Sequence, residues 1–310
     1  MINLISTAIL PIMVLLGLGV LLKRHFLKEE PFWRGLEWLS YFVFAPALFV
    51  STIYNVDLSI IPTGSLVISL VVPIVAVALL VICSKRLLRI DGPQLTSLLQ
   101  GSVRFNTYIG LIFASAYRGD EGVAIFALAC AIVVPLVNII CVSALVHWGK
   151  PAHGSHKISF FGSLVKNPLI ISCAVGFLLN VLNIPIPDLV VVSLDLAAAP
   201  ALACGTLIAG AALRFVATRH DVVLMTVSVA VKLFILPLSA ALIAASLGVT
   251  GTTLICIILI CAGPAAPTAY VLASIMGGDK RLMAAISGCQ TVCSVGTLPA
   301  VLAIGQQFVF

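Results

Sequence analysis

The sequence predicts an all-α integral membrane protein of ten transmembrane helices, arranged as two inverted five-helix repeats with broken, crossing helices 4 and 9. Three observations predict it: the scarcity of charge, the spacing of the apolar runs, and an echo between the two halves. Of 310 residues, 61% are hydrophobic and 9% are charged. A soluble domain typically carries about a quarter charged residues, and burial cannot hide so much apolar surface in a chain of this length. The expected solvent around most of this surface is therefore lipid. The formal net charge of +6 would suggest nucleic acid in a soluble protein. Here it reads as lysine and arginine collected at cytoplasmic helix ends, with no nucleic-acid partner expected.

A helix needs about 20 residues to cross a hydrocarbon core of about 30 Å. Runs of that size lie at approximately 3–22, 36–54, 64–83, 96–116, 122–146, 167–184, 189–212, 222–247, 252–275 and 283–305. No lysine or arginine precedes the first run, and Lys23, Arg24 and Lys28 follow it. That order reads as a retained helix rather than a cleaved signal peptide. The odd-numbered loops hold fourteen lysines and arginines, and the even-numbered loops hold Arg118 alone. The positive-inside rule then places odd loops in the cytoplasm and both termini outside, in a multi-pass protein of the cell (inner) membrane. Nine cysteines fall in or beside apolar runs without a CxxC pair. They read as small packing residues, with no disulfide framework, metal site or cofactor expected.

The halves divide as residues 1–146 and 167–310, joined by a hydrophilic cytoplasmic linker at 147–166. Pro11-x7-Gly19-x-Leu21-Leu22 in the first run matches Pro168-x7-Gly176-x-Leu178-Leu179 in the sixth. Ala45-Pro46-Ala47-Leu48 in the second matches Ala199-Pro200-Ala201-Leu202 in the seventh, and Asn106-Thr107 in the fourth stands opposite Pro267-Thr268 in the ninth. Five helices is an odd number, so the second half must enter the membrane from the opposite side. Inverted repeats of this kind underlie alternating-access carriers.

Interrupted helices are tolerated at membrane depth only where protein or a watery cavity covers the freed backbone groups. The ninth run holds Gly263-Pro264-Ala265-Ala266-Pro267-Thr268-Ala269-Tyr270, whose prolines remove donors and open the helix. The fourth has no proline but carries Arg104-Phe105-Asn106-Thr107-Tyr108-Ile109-Gly110, whose midspan polarity and glycine allow an unwound stretch. Paired interruptions at corresponding places point to a binding site, here Arg104, Asn106, Thr107, Tyr108, Pro264, Pro267, Thr268 and Tyr270. Arg104, Asp195 and Lys232 are ionisable residues inside the runs, each costly unless paired or facing a cavity. Arg104 and Lys232 lie roughly 14 Å deep at 1.5 Å per residue, too deep for easy snorkelling. Lys232 or Arg104 is expected to attract an anionic substrate, while Asp195 neutralises the empty cavity or holds a coupling ion.

The whole chain resembles the auxin efflux carrier family, with its PIN-like and malonate-transporter-like permeases, in the bile-acid/auxin-type transporter superfamily. The residues that carry the resemblance are Phe44-Ala45-Pro46-Ala47-Leu48-Phe49, Phe105-Asn106-Thr107-Tyr108-Ile109-Gly110, Val231-Lys232-Leu233 with Pro237, and Pro264 with Ala269-Tyr270-Val271-Leu272-Ala273. The resemblance implies a scaffold of helices 1, 2, 6 and 7 and a transport domain of helices 3–5 and 8–10. It also implies that helices 4 and 9 cross at Asn106 and Pro264, with substrate beside the crossing. Phe105 stands where the plant members carry a proline, and their long central cytoplasmic loop has no counterpart. Auxin itself is not implied.

Two deep cations against one acid favour a small organic anion, a carboxylate, moved by an elevator-like secondary transporter. A coupling proton or sodium ion and a homodimeric assembly are left open, and the lipid bilayer is the surrounding partner. The alternative is a channel or a membrane-embedded sensor for a small organic acid. No enzyme is expected: the sequence holds no HExxH and no G-x-S-x-G elbow.

Overall fold

The computed structural model describes residues 10–55, 62–150, 168–211 and 221–305. Most of the 147–166 linker lies outside them, as do Arg214 and Arg219 of the charge pattern. Among the described residues the fold is helical, without strands. The longer helices are α1 (Leu10–Leu21), α2 (Glu30–Asn55), α3 (Thr63–Cys83), α4 (Gly92–Val103), α5 (Thr107–Trp148), α6 (Pro168–Val181), α7 (Asp188–Ala211), α8 (Asp221–Ser246), α9 (Gly251–Ala262), α10 (Pro267–Met276) and α11 (Lys280–Gly305).

Helix occupies each of the ten expected runs within the described residues. Among the described residues six stretches are long and apolar enough to cross a membrane, and one of these, Gly92–Trp148, contains both the fourth and the fifth run. It bends twice. The chain leaves helical geometry at Arg104, and again at Arg118 and Gly119, where Gly119 takes φ +53°. The second bend turns α5 from its first part (107–117) into its second (120–148). The ninth run is divided by the proline segment into α9 and α10.

Prolines shape the long helices as well. Pro46 and Pro237 each stand two residues after a π-helical turn, Ser40–Phe44 in α2 and Val231–Ile235 in α8. A proline leaves the carbonyl four residues back without its partner, and a widened turn absorbs that loss. In α7, the Ala199-Pro200 pair breaks the helix into Asp188–Ala198 and Ala201–Ala211.

Helices α1, α2, α6 and α7 pack mainly on one another, α2 against α6 and α7, and α7 against α1. Helices α3, α4, α8, α9, α10 and α11 form a second group, and α5 joins the two by touching α9 in one and α2, α6 and α7 in the other. Apolar side chains such as Val14, Leu18, Phe42, Val175, Leu178, Val192 and Leu196 stand exposed on the first group. Lipid can cover them at no cost, whereas water could not.

Helices packed in lipid gain little from burying apolar area, so close backbone approach has to hold them together. Gly19 of α1 meets the Leu207 backbone of α7, and Gly210 of α7 meets the Leu16 backbone of α1. On the other side, Gly176 of α6 faces Val50 and Ile53 of α2. A methyl at Gly19 has no room, whereas the position a Cβ would take at Gly17 has no packing neighbour within 4 Å. Gly19→Ala is therefore expected to cost about 1–3 kcal/mol by overpacking. Gly17→Ala should be neutral when thermal unfolding of the two variants is compared in the same detergent.

Candidate functional site

The two interruptions meet. The Asn106 N–H donates to the Pro264 carbonyl over 2.7 Å, so the break between α4 and α5 lies directly against the break between α9 and α10. Gly263 takes extended geometry and ends α9 beside Phe105. Arg104 is likewise extended as it ends α4. Four half-helix ends thus gather at one point, and their orphan backbone groups have to be satisfied there.

Each end is handled differently. At the start of α5, the Asn106 side-chain oxygen accepts from the N–H groups of Tyr108 and Ile109 at 3.0 and 3.3 Å. Asn106 is therefore a helix cap, and it occupies donors that would otherwise be free for a ligand. At the start of α10, no side chain caps the first turn, and Pro267 occupies its first position. At the end of α9, the Lys232 amine donates to the Ile260 carbonyl at 3.4 Å. A cation is at home against the negative end of a helix.

Gln290 of α11 ties the crossing together, and no motif in the sequence singles it out. Its side-chain oxygen accepts from the Ala265 N–H at 2.9 Å, and its amide donates to the Gly101 carbonyl at 2.8 Å and the Ser228 hydroxyl at 2.9 Å. One fully buried amide thus joins α4, α8, α11 and the segment between α9 and α10. Its one signal in the chain is that of a lone polar amide inside an apolar run.

A cavity of about 300 Å³ opens on the crossing, lined by Arg104, Asn106, Thr107 and Tyr108 on one side and Ala266, Thr268 and Leu272 on the other. Glu37 and Tyr41 of α2 and Asn138 of α5 complete its polar lining. Valines of α5, Leu169 of α6, and Ile208 and Ala209 of α7 supply apolar wall. Arg104 is only 8% exposed and donates to the Asn138 side-chain oxygen at 2.9 Å. Its Nε has no hydrogen-bond partner among the described residues, and neither has the Tyr108 hydroxyl.

Of the expected site residues, Arg104, Asn106, Thr107, Tyr108 and Thr268 line this cavity. Pro264 is buried in the crossing itself and Tyr270 is half-buried against the core. Pro267 starts α10. Lys232 is fully buried and does not line the cavity, being engaged with α9. Glu37 lies at the entrance of the second apolar run, where an acid reads from sequence as an ordinary helix-end charge.

Asp195 sits elsewhere. It is exposed, accepts from the Ser51 hydroxyl at 2.6 Å, and lines a second cavity of about 330 Å³ with Asp120, Thr52 and Asn55. Leu48 and Leu202, the final residues of the two Ala-Pro-Ala-Leu motifs, also line it. Along α7, Leu202 belongs to this second cavity and Ile208 to the first. Between them Gly205 packs on the Tyr108 ring so closely that no Cβ would fit.

Residues 155–302 match the membrane transport protein family. The matched segment is just under half of the chain, and the family, which includes the auxin efflux carriers, is what that segment is similar to. The transport-family segment covers nearly all of the second sequence half, including Lys232, the α9–α10 break and Gln290. The match and the apolar helices among the described residues together suggest a multi-pass membrane protein. No curated protein matches the chain.

Gln290→Leu is expected to leave the Ala265 N–H and Gly101 carbonyl without partners, at about 1–3 kcal/mol for each buried group. A lowered midpoint of thermal unfolding in detergent, larger than that of Thr291→Val on the same helix, would show it.

Proposed function

We propose that the protein is a secondary transporter that carries a small organic anion, a carboxylate, by alternating access. The observation that carries this reading is Arg104. It is a buried guanidinium with an unpartnered nitrogen, on the wall of a cavity where two interrupted helices cross. A guanidinium offers a planar fork that matches a carboxylate. The uncapped start of α10 brings a positive helix end to the same cavity.

Ten crossings in two inverted halves account best for the packing. If the first and sixth runs are equivalent, and likewise the second and seventh, exchanging the halves turns the α1–α7 contact into the α6–α2 contact. Both are glycine-mediated. The same exchange turns α4 against α11 into α9 against the second part of α5, and both pairs are in contact. Helices α1, α2, α6 and α7 would serve as the scaffold, past which the crossing slides between the two cavities. Asp195 in the second cavity would hold a coupling proton.

Gly205, which packs on the Tyr108 ring, lies along α7 between residues of the two cavities, and a closed contact there favours a carrier over an open pore. Sliding would have to part them.

Counter-flow in proteoliposomes tests the cargo. Arg104→Gln is expected to raise the KM for a carboxylate by about tenfold or more, the worth of a charged hydrogen bond, with Arg104→Lys restoring only part of the affinity. Displacement of label by cations or sugars alone would reject the anion. Gly205→Val should wedge the ring in place and lower the maximal flux while binding of the same carboxylate persists. Flux equal to that of the unsubstituted protein would show that this contact is not a barrier.

A further inference from the structure

The crossing cavity contains an acid as well as a cation. Glu37 and Arg104 line the same space of about 300 Å³, yet no ion pair joins them among the described residues. Arg104 uses one nitrogen on Asn138 and keeps another unpartnered. The Glu37 side chain makes no hydrogen bond among the described residues, and it lines the cavity together with Tyr41 and Tyr108. Two opposite charges that share a low-dielectric pocket without meeting leave room for a ligand between them.

Charge balance then selects the ligand. A simple monocarboxylate would satisfy Arg104 and leave Glu37 as an uncompensated negative charge in an apolar surround. A dicarboxylate would add a second. Burying an unpaired charge is costly, by several kcal/mol after relaxation. A zwitterion completes both pairs and leaves the occupied cavity neutral. The remaining walls are Val134, Val137, Val142, Leu169, Ile208 and Leu272, which suit an aliphatic side chain. We infer that the preferred cargo is a small zwitterionic amino acid with an apolar side chain, its carboxylate on Arg104 and its ammonium on Glu37. This rests on the recognition of a carboxylate by Arg104 proposed above and replaces the net anion at the same site by a cargo whose own ammonium balances that carboxylate.

The test compares an aliphatic amino acid with its des-amino acid, the same carbon skeleton lacking the ammonium, as competitors and as counter-flow substrates in proteoliposomes. The unsubstituted protein should prefer the amino acid. Glu37→Gln should weaken the amino acid about tenfold, the scale of one charge-assisted contact, and should weaken the des-amino acid much less or strengthen it. Glu37→Asp should restore part of the original preference, which a merely folded but damaged cavity would not do. Arg104→Gln should weaken both ligands. Preference for the des-amino acid in the unsubstituted protein, or equal losses for both ligands in Glu37→Gln, would overturn the inference while leaving carboxylate transport intact. Failure of both ligands to compete, with Arg104→Gln unchanged, would instead reject the carboxylate reading itself.

Discussion

The backbone hydrogen bond from Asn106 to Pro264 is the contact on which the rest of this structure depends. Lipid offers no partner for a free N–H or carbonyl, so a helix can be interrupted at membrane depth only if something else receives its ends. Here each interruption receives the other. The surrounding side chains satisfy the remaining groups: Asn106 caps α5, Lys232 meets the end of α9, and Gln290 serves Ala265 and Gly101 together. Replacing any of them with an apolar residue would leave a backbone group stranded where neither lipid nor packed side chains could take it.

That closure determines what remains available for a ligand. The donors at the start of α5 are engaged by the Asn106 cap, and the amine of Lys232 is engaged by α9. Arg104 is only partly engaged, and the first turn of α10 has no cap. The site is therefore narrower than the full set of polar residues in the broken helices suggests. Its positive character comes from one guanidinium and one helix end, and its negative character from a glutamate on a helix of the other packing group.

The two packing groups are held in different ways. Glycines bring α1 onto α7 and α6 onto α2 at backbone distance. The crossing group coheres through buried polar side chains from α4, α8 and α11, Gln290 foremost. Contact between the groups runs through α5 and includes the Tyr108 ring on Gly205. The two groups meet there ring against backbone, at a position where no Cβ would fit.

Much of this was legible in the residues because it follows from local chemistry. Apolar runs had to be helices, Gly263 and Pro264 had to open one of them, and the lone intramembrane charges had to face protein or a cavity. The match of Ala45-Pro46-Ala47-Leu48 with Ala199-Pro200-Ala201-Leu202 marked two helices that do meet, with Leu48 and Leu202 lining one cavity. The interruption in the fourth run is where its polar residues place it, but Gly110 takes no part in it. That residue is helical, and it is small because the Phe126 ring packs on it. Which polar groups are satisfied and which are left open could not be read from the chain, since it depends on partners distant in sequence. Only the tertiary structure decided that Lys232 serves a helix end, that Asp195 belongs to a second cavity, and that Glu37 shares a space with Arg104. A side chain's role in a membrane protein is set by whether its neighbours leave it a partner, and neighbours are a property of the fold.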